Sequence, residues 1–236
     1  MSDTAVAEPL QRPVALLAGR DYRDPATLTQ WVKGLLILSF VIDLVATGSG
    51  LMEFALLKSI TNGTAEGDID TLANSNDARQ MTIGITQFAV YIVTGIVFLV
   101  WVYRANRNAR ALGAQDMRFT PGWSVGWFFV PIMSLWKPFQ AMREIWQASV
   151  EPGNWRAVQA PPLLGWWWAL YLGNLILNQI AYRLSDNVDS MDGAITASLV
   201  MTASSVSGMP LDVVGVLLVT KIAANQIWQT KTVEVF

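Results

Sequence analysis

Four stretches of apolar residues lie along the chain, and each is long enough to form a membrane-spanning helix. About 20 residues of helix cross the hydrocarbon core of a bilayer. Polar connections that carry most of the charged residues separate the four stretches. The pattern therefore predicts an all-α integral membrane protein with four transmembrane helices, at residues 31–57, 82–102, 163–182 and 195–224.

Composition supports the membrane class and removes several kinds of chemistry. The chain is 53% hydrophobic and 14% charged, with a mean hydropathy of +0.36. It contains no cysteine and no histidine, which excludes disulfides, thiolate catalysis, Cys/His zinc sites and a histidine base. We identify no activated nucleophile or phosphate-binding loop. The sequence therefore predicts a protein that is not an enzyme, with no metal, no cofactor and no nucleic-acid partner.

The distribution of charge predicts the orientation in the membrane. Lysine and arginine concentrate before the first span and between the second and third spans, whereas residues 59–81 and 183–192 are mainly acidic. Basic connections stay in the cytoplasm. We therefore expect both termini in the cytoplasm, a mobile cytoplasmic tail at residues 1–27 and a single membrane domain at residues 28–236.

Residues 103–162, which connect the second and third spans, form what we call the platform. An arginine series at its start is followed by an aromatic run at 119–136, which proline and glycine interrupt. That run is too short and broken to cross as one helix, so it is expected to lie in the interface or to be re-entrant. After Pro138 the pattern predicts an amphipathic helix that lies along the membrane surface or packs on the bundle.

Tryptophan is distributed on one side of the predicted topology. All eleven tryptophans fall on the cytoplasmic half, and five of them lie within the platform. Tryptophan favours the membrane interface because its ring is apolar and its indole N–H needs a polar partner. Basic and aromatic side chains together predict a binding face for a protein partner or anionic lipid, formed by Arg104, Arg107, Arg110, Trp123, Trp127, Trp136, Arg143 and Trp146. The alternative is that the arginines only fix topology and the tryptophans only anchor helices.

Three runs of the chain resemble a known family. They are W-V-Y-R-A-N-R-N-A-R-A-L-G at 101–113, F-T-P-G-W-S-V-G-W-F-F-V-P at 119–131 and L-W-K-P-F-Q-A-M-R-E-I-W at 135–146. They are similar to the bacterial membrane-protein family catalogued as domain of unknown function 4328. The resemblance implies a multi-pass protein of the bacterial envelope and carries over no activity, substrate or catalytic residue. With the predicted topology, we expect the protein in the bacterial inner membrane.

Polar residues inside the predicted spans form the second candidate site. Counting 1.5 Å per residue from the flanking basic residues puts one polar group of each span at a similar depth. These residues are Asp43, Thr94, Asn174 and Asp212. Small residues on the first and fourth spans would let the two helices approach closely. The two aspartates either form a proton or cation site or stay neutral and only specify helix packing.

Two functions of different classes follow from these sites. The preferred one is a non-enzymatic accessory or scaffolding membrane protein whose platform docks a protein partner or anionic lipid, with a membrane-protein partner or a homo-oligomer expected. The alternative is a small transporter or channel that uses the polar layer.

Overall fold

In a computed structural model, residues 21–186 and 188–233 are described, and every regular element within them is helical. Most of the predicted tail at 1–27 lies outside these residues. The described chain forms α1 (Ala26–Thr61), α2 (Ile69–Ala111), α3 (Pro121–Gly126), α4 (Lys137–Val150), α5 (Pro162–Asp186) and α6 (Met191–Val233), with 3₁₀ turns at Met133–Leu135 and Pro152–Ala157. The predicted all-α class is confirmed.

Three of these helices are long and apolar enough to cross a membrane, namely α1, α2 and α6. They are compatible with a multi-pass membrane protein. Helix α5, the predicted third span, has 25 residues but does not belong to this group. Its apolar character is interrupted in its second half by Asn174, Asn178 and Gln179.

The helices extend well beyond the predicted spans. Helix α2 has 43 residues and begins at Ile69, so most of the loop expected at 59–81 is helical and only residues 62–68 lie between helices. The carboxylate of Asp68 caps the N-terminus of α2 by accepting a hydrogen bond from the Thr71 N–H at 3.1 Å. Residues 69–81 are polar enough to lack a membrane signal, and hydropathy alone could not reveal their helix.

Helix α6 is central, because it packs against both α1 and α5, while α2 packs on α1. Helices α1 and α6 approach each other closely where they carry glycine. A Cβ atom at Gly50 would collide with the Thr202 hydroxyl, and one at Gly208 would collide with the Asp43 carboxylate. These small residues set the separation of the two helices, as expected for helices that meet inside a membrane.

The main hydrophobic core lies at one end of the long helices, where α4 packs on them. Helix α4 buries one face against α6 and α2, so packing on the bundle is the observed placement of the predicted amphipathic helix. By contrast, α2 buries no residue between Asn76 and Trp101. The core includes Val32, Trp101, Met142, Ile145, Leu164, Leu218 and Ile222.

We expect Gly50→Ala to destabilise the protein by about 1–3 kcal/mol, because the new methyl group overpacks the contact with α6. The Thr202 hydroxyl already donates to the Ser198 carbonyl at 2.8 Å, which limits its freedom to move away. Gly48→Ala is the matched control, since open space surrounds Gly48 on the same helix. Thermal unfolding in detergent measures both variants. Equal melting temperatures would contradict a tight helix crossing.

Candidate functional site

The platform is fastened to the end of α2 by a buried hydrogen-bond network. The Asn106 amide donates to the Ser124 hydroxyl at 2.8 Å and to the Phe119 carbonyl at 3.0 Å. The Arg110 guanidinium donates to the Asn106 side chain and to the carbonyls of Met117 and Phe119. Arg110 was predicted to belong to the binding face, but its donors hold the chain between α2 and α3 in place.

A second buried network ties α2, α4 and α6 together. Gln226 on α6 donates to the Ala105 carbonyl at 2.9 Å and to the Ser149 hydroxyl at 3.0 Å. Its side-chain oxygen accepts from the Asn108 amide at 3.1 Å, and the same amide donates to the Arg23 carbonyl. Polar groups buried in this way are costly unless each has a partner. The network therefore fixes how the three helices meet.

Glu144 on α4 is a buried carboxyl group in the platform, with only 4% of its surface exposed. It accepts a hydrogen bond from the Phe119 N–H at 3.2 Å. Burial raises the pKa of Glu144 above its ordinary value of 4.5. Backbone hydrogen bonds from Phe119 and Arg118 lower the same pKa but do not cancel the effect of burial.

Three buried tryptophans hydrogen-bond to other segments through their indole N–H groups. Trp101 donates to the Thr29 hydroxyl on α1 at 2.9 Å. Trp155 donates to the Gln115 carbonyl, and Trp168 donates to the Leu135 carbonyl. These residues stabilise the platform and its junction with the bundle. Other tryptophans, including Trp31 and Trp166, are exposed as expected of interfacial anchors.

The predicted binding face is only partly exposed. Trp146 lies in the hydrophobic core with 8% exposure, because α4 turns this side toward the bundle. Arg107 forms an ion pair with Asp21 at 2.7 Å. Trp123 and Trp127 contact each other, with ring centroids 4.7 Å apart. All the predicted residues except Trp146 remain wholly or partly accessible, namely Arg104, Arg107, Arg110, Trp123, Trp127, Trp136 and Arg143.

The aromatic run presents apolar side chains outward. Phe129 is 71% exposed and Ile132 is 69% exposed. Ile132 has φ +66°, a conformation that is strained for a β-branched residue. Hydrogen bonds from Ser134 N–H to the Val130 carbonyl and from Leu135 N–H to the Ile132 carbonyl close the turn around it. We call residues 129–136 the apolar turn.

The second predicted site lies between α1, α2, α5 and α6. The Gln87 amide on α2 donates to the Asp43 carboxylate on α1 at 3.0 Å and contacts the Ser205 hydroxyl on α6 at 3.5 Å. The Asp43 carboxylate also lies against Gly208 on α6. Asp43 therefore contacts both neighbouring helices through one polar layer.

Helix α5 joins this layer through Asn174. Its amide donates to the Ser204 carbonyl at 3.0 Å and to the Ser207 hydroxyl at 2.8 Å. Asn178, one turn away, donates to Asn174 and accepts from the Ser204 hydroxyl. Asn174 thus belongs to the α5–α6 contact, and it faces the side of α6 that carries Gly208.

Two oxygen atoms of the predicted layer stand out because they are buried without a hydrogen-bond partner in the described part of the chain. They are Asp212 Oδ2 and Thr94 Oγ1. Asp212 is 8% exposed in all. Buried polar atoms without a partner are uncommon in folded proteins and call for an explanation.

The layer also contains polar residues that the sequence pattern does not predict, namely Gln87, Ser204, Ser205, Ser207 and Asn178. Their signal is present in the sequence, since each polar residue interrupts an apolar stretch. Assigning them to one layer requires the register between helices, which hydropathy does not supply.

A pocket of about 250 Å³ opens at the opposite end of the bundle from the platform. Glu53 lines it and accepts from the Ser198 hydroxyl at 2.7 Å and from the Asn76 amide at 3.2 Å. The Arg79 guanidinium donates to Asn76, which also lines the pocket, and to the Ser49 hydroxyl. Within the described residues, no group of three or more acidic side chains is arranged to hold a metal ion.

Comparison with known proteins identifies one family. The sequence profile described as Domain of unknown function (DUF4328) matches residues 66–224, well over half of the chain. The match includes the platform and Asp212 but not α1, which carries Asp43. No curated protein and no solved structure matches the chain.

We expect Gln226→Leu to destabilise the protein by about 1–3 kcal/mol for each polar group that loses its partner and stays dry. Asn225→Leu is the matched control, because Asn225 is the neighbouring residue and is not buried. Thermal and denaturant unfolding measure both variants. A loss at Asn225 equal to that at Gln226 would contradict the role of the buried network.

The raised pKa of Glu144 predicts a pH dependence of stability. Because the unfolded state ionises first, the contribution of Glu144 is fully present below about pH 4.5 and is lost as the pH rises through the folded-state pKa. Glu144→Gln keeps an oxygen that accepts from Phe119 and removes the titration. The variant should therefore gain stability relative to wild type as the pH rises from about 4.5 to neutrality. Parallel unfolding curves for the two proteins across this range would contradict the prediction.

Proposed function

The chain belongs to the family described as Domain of unknown function (DUF4328), a description that assigns no activity, and we propose that it is a non-enzymatic scaffolding protein of the bacterial inner membrane. Its platform binds anionic lipid head groups on the cytoplasmic side. The observation that carries this proposal is the apolar turn, which exposes large side chains beside the basic residues of the platform.

The proposed topology has four spans with both termini in the cytoplasm. Helix α5 packs antiparallel along α6, because Asn174 contacts Ser207 whereas Ser185 contacts Met201. Its 25 residues extend over about 37 Å, enough to cross a hydrocarbon core of about 30 Å. Because α5 packs along α6 over this length, the two helices cross the membrane together. The basic platform then lies on the cytoplasmic side, in agreement with the charge rule.

Apolar and aromatic side chains support an interfacial position for the platform. Trp168 on α5 holds the Leu135 carbonyl, so the apolar turn is attached beside the end of a proposed span. Phe129, Ile132 and Trp136 are exposed there. Exposed aromatic and aliphatic side chains at this depth insert among lipid head groups, where one end of the ring is apolar and the other is wet.

Basic side chains supply the attraction for anionic lipid. Arg104 and Arg143 form no ion pair within the described residues, and Lys137 lies over the rings of Phe119 and Trp127 at 5.7 Å. Each basic residue near a charged leaflet contributes about 1 kcal/mol to lipid attraction. The platform therefore combines a positive surface with an apolar edge, as expected for a protein that organises anionic lipid.

We expect Arg143→Gln to weaken binding of phosphatidylglycerol about fivefold, the factor that corresponds to about 1 kcal/mol. The variant and the wild type are purified in mild detergent and titrated with this lipid, and native mass spectrometry counts the bound molecules. Arg104→Gln should act similarly. Lys58→Gln is the charge-matched control, since Lys58 is exposed on the last turn of α1, at the other end of the molecule.

Equal lipid loss in the Arg143 and Lys58 variants would contradict a lipid site on the platform. A stoichiometric membrane-protein partner that leaves with the wild type and is lost from the Arg143 variant would replace lipid by protein docking. The same spectra give the number of chains in each particle. A homo-oligomeric scaffold requires more than one.

A further inference from the structure

We propose that Asp43 and Asp212 form a binding site for one monovalent cation, a proton or Na⁺, at the contact of α1, α2 and α6. The proposal does not depend on lipid binding by the platform. It follows from the positions of the two carboxyl groups, the oxygen atoms around them and the charges within reach.

The two carboxyl groups lie near the same face of α6. Asp43 on α1 occupies the space beside Gly208 of α6. Asp212 follows Gly208 by four residues, which places it one turn further along the same face, about 6 Å away along the axis. Asp43 is also near enough to act electrostatically on Asp212. The two acids therefore lie on one face of α6, within about one helical turn of each other.

Oxygen atoms of α2 are in register with the two acids. Gln87 of α2 contacts Ser205 of α6, and the two helices run in the same direction from the pocket end toward the platform. Thr94 and Asp212 each lie seven residues further along, which is two turns on both helices and returns to the same face. The two buried oxygen atoms without a partner, Thr94 Oγ1 and Asp212 Oδ2, thus lie at one depth.

The charge balance at this depth requires a cation. Neither Asp43 nor Asp212 forms an ion pair within the described residues. On α1 the nearest basic residue in the chain is Lys33, and on α6 it is Lys221, each about 14–15 Å away along its helix. Two ionised carboxylates without a counterion are too costly to bury in a low-dielectric bundle.

The other groups that face the pair do not supply the missing charge. Helix α2 contributes Gln87 and Thr94. Its flanking basic residues are Arg79, which donates to Ser49 and Asn76, and Arg104, which lies about 15 Å beyond Thr94 along the helix. Helix α5 contributes Asn174, and its titratable side chain in this stretch is Tyr171, which is neutral at physiological pH. One bound proton or monovalent metal ion shared by the two carboxyl groups lowers their net charge from −2 to −1, and the Gln87 amide hydrogen-bonds the Asp43 carboxylate.

The first test uses infrared spectroscopy on the full chain in lipid nanodiscs, with aspartate labelled by ¹³C at its carboxyl group. In sodium-free choline buffer at neutral pH we expect a protonated-carboxyl band that falls reversibly as the pH is raised to about 10. Replacing choline with Na⁺ at constant pH distinguishes the two cations. A band that decreases with Na⁺ assigns a sodium site, whereas a band that responds to pH alone assigns a proton site.

Variants assign the band to the pair. Asp212→Asn should remove the pH response or the Na⁺ response, and Asp43→Asn should reduce it at least twofold. Asp192→Asn is the control, because Asp192 is an exposed acid at the start of the same helix. The wild-type titration stands by itself if a variant fails to fold.

Two results would overturn the proposal. One is a wild-type protein with no protonated-carboxyl band in sodium-free buffer. The other is a band that persists unchanged to about pH 10 and in Na⁺, since a permanently neutral aspartate serves packing and binds no exchangeable cation.

Discussion

Where α1 crosses α6, a glycine on either helix leaves room for a polar side chain of the other, and the positions of the remaining elements follow from this close approach. Gly50 faces Thr202, and Gly208 faces the Asp43 carboxylate. A larger residue at Gly208 would displace the Asp43 carboxylate from its place in the layer, and one at Gly50 would press on the Thr202 side chain. In a bilayer, where apolar surface gives no preference for helix over lipid, such close packing and interhelical hydrogen bonds determine which helices associate. Helices α5 and α2 then attach to the pair through Asn174 and Gln87.

Hydropathy was sufficient to predict the helical membrane class but not the full length of the helices. Residues 69–81 and 225–233 are too polar to signal a span, yet they continue α2 and α6 without a break. Helix α5 shows the opposite limit, since Asn174 and Asn178 lower its apolar character although they serve its contact with α6. Periodicity did predict α4 and its buried face, because Met142 and Ile145 recur at helical spacing.

Residue type was enough to predict which residues belong to a candidate site. The role of each residue depends on how its side chain packs. Arg110 and Trp146 have the composition of a binding face, but one holds backbone carbonyls and the other fills the core. The arginine-rich run that resembles the family carries two asparagines, Asn106 and Asn108, which make the buried hydrogen bonds of the platform. The arginine-rich run therefore includes residues that stabilise the platform. A binding role and a structural role differ in the hydrogen-bond and packing partners of the side chain, and the sequence does not show these partners.

The length of α2 and α6 has a mechanical consequence. Each has 43 residues and spans about 64 Å, roughly twice the thickness of the hydrocarbon core. Both run from the pocket at one end to the platform at the other, so each degree of tilt displaces the far end by about 1 Å. Pro210 removes one backbone hydrogen bond from α6 two residues before Asp212, which makes that point the natural pivot. A bend of α6 at Pro210 would therefore move its platform end, which packs on α4, relative to its pocket end.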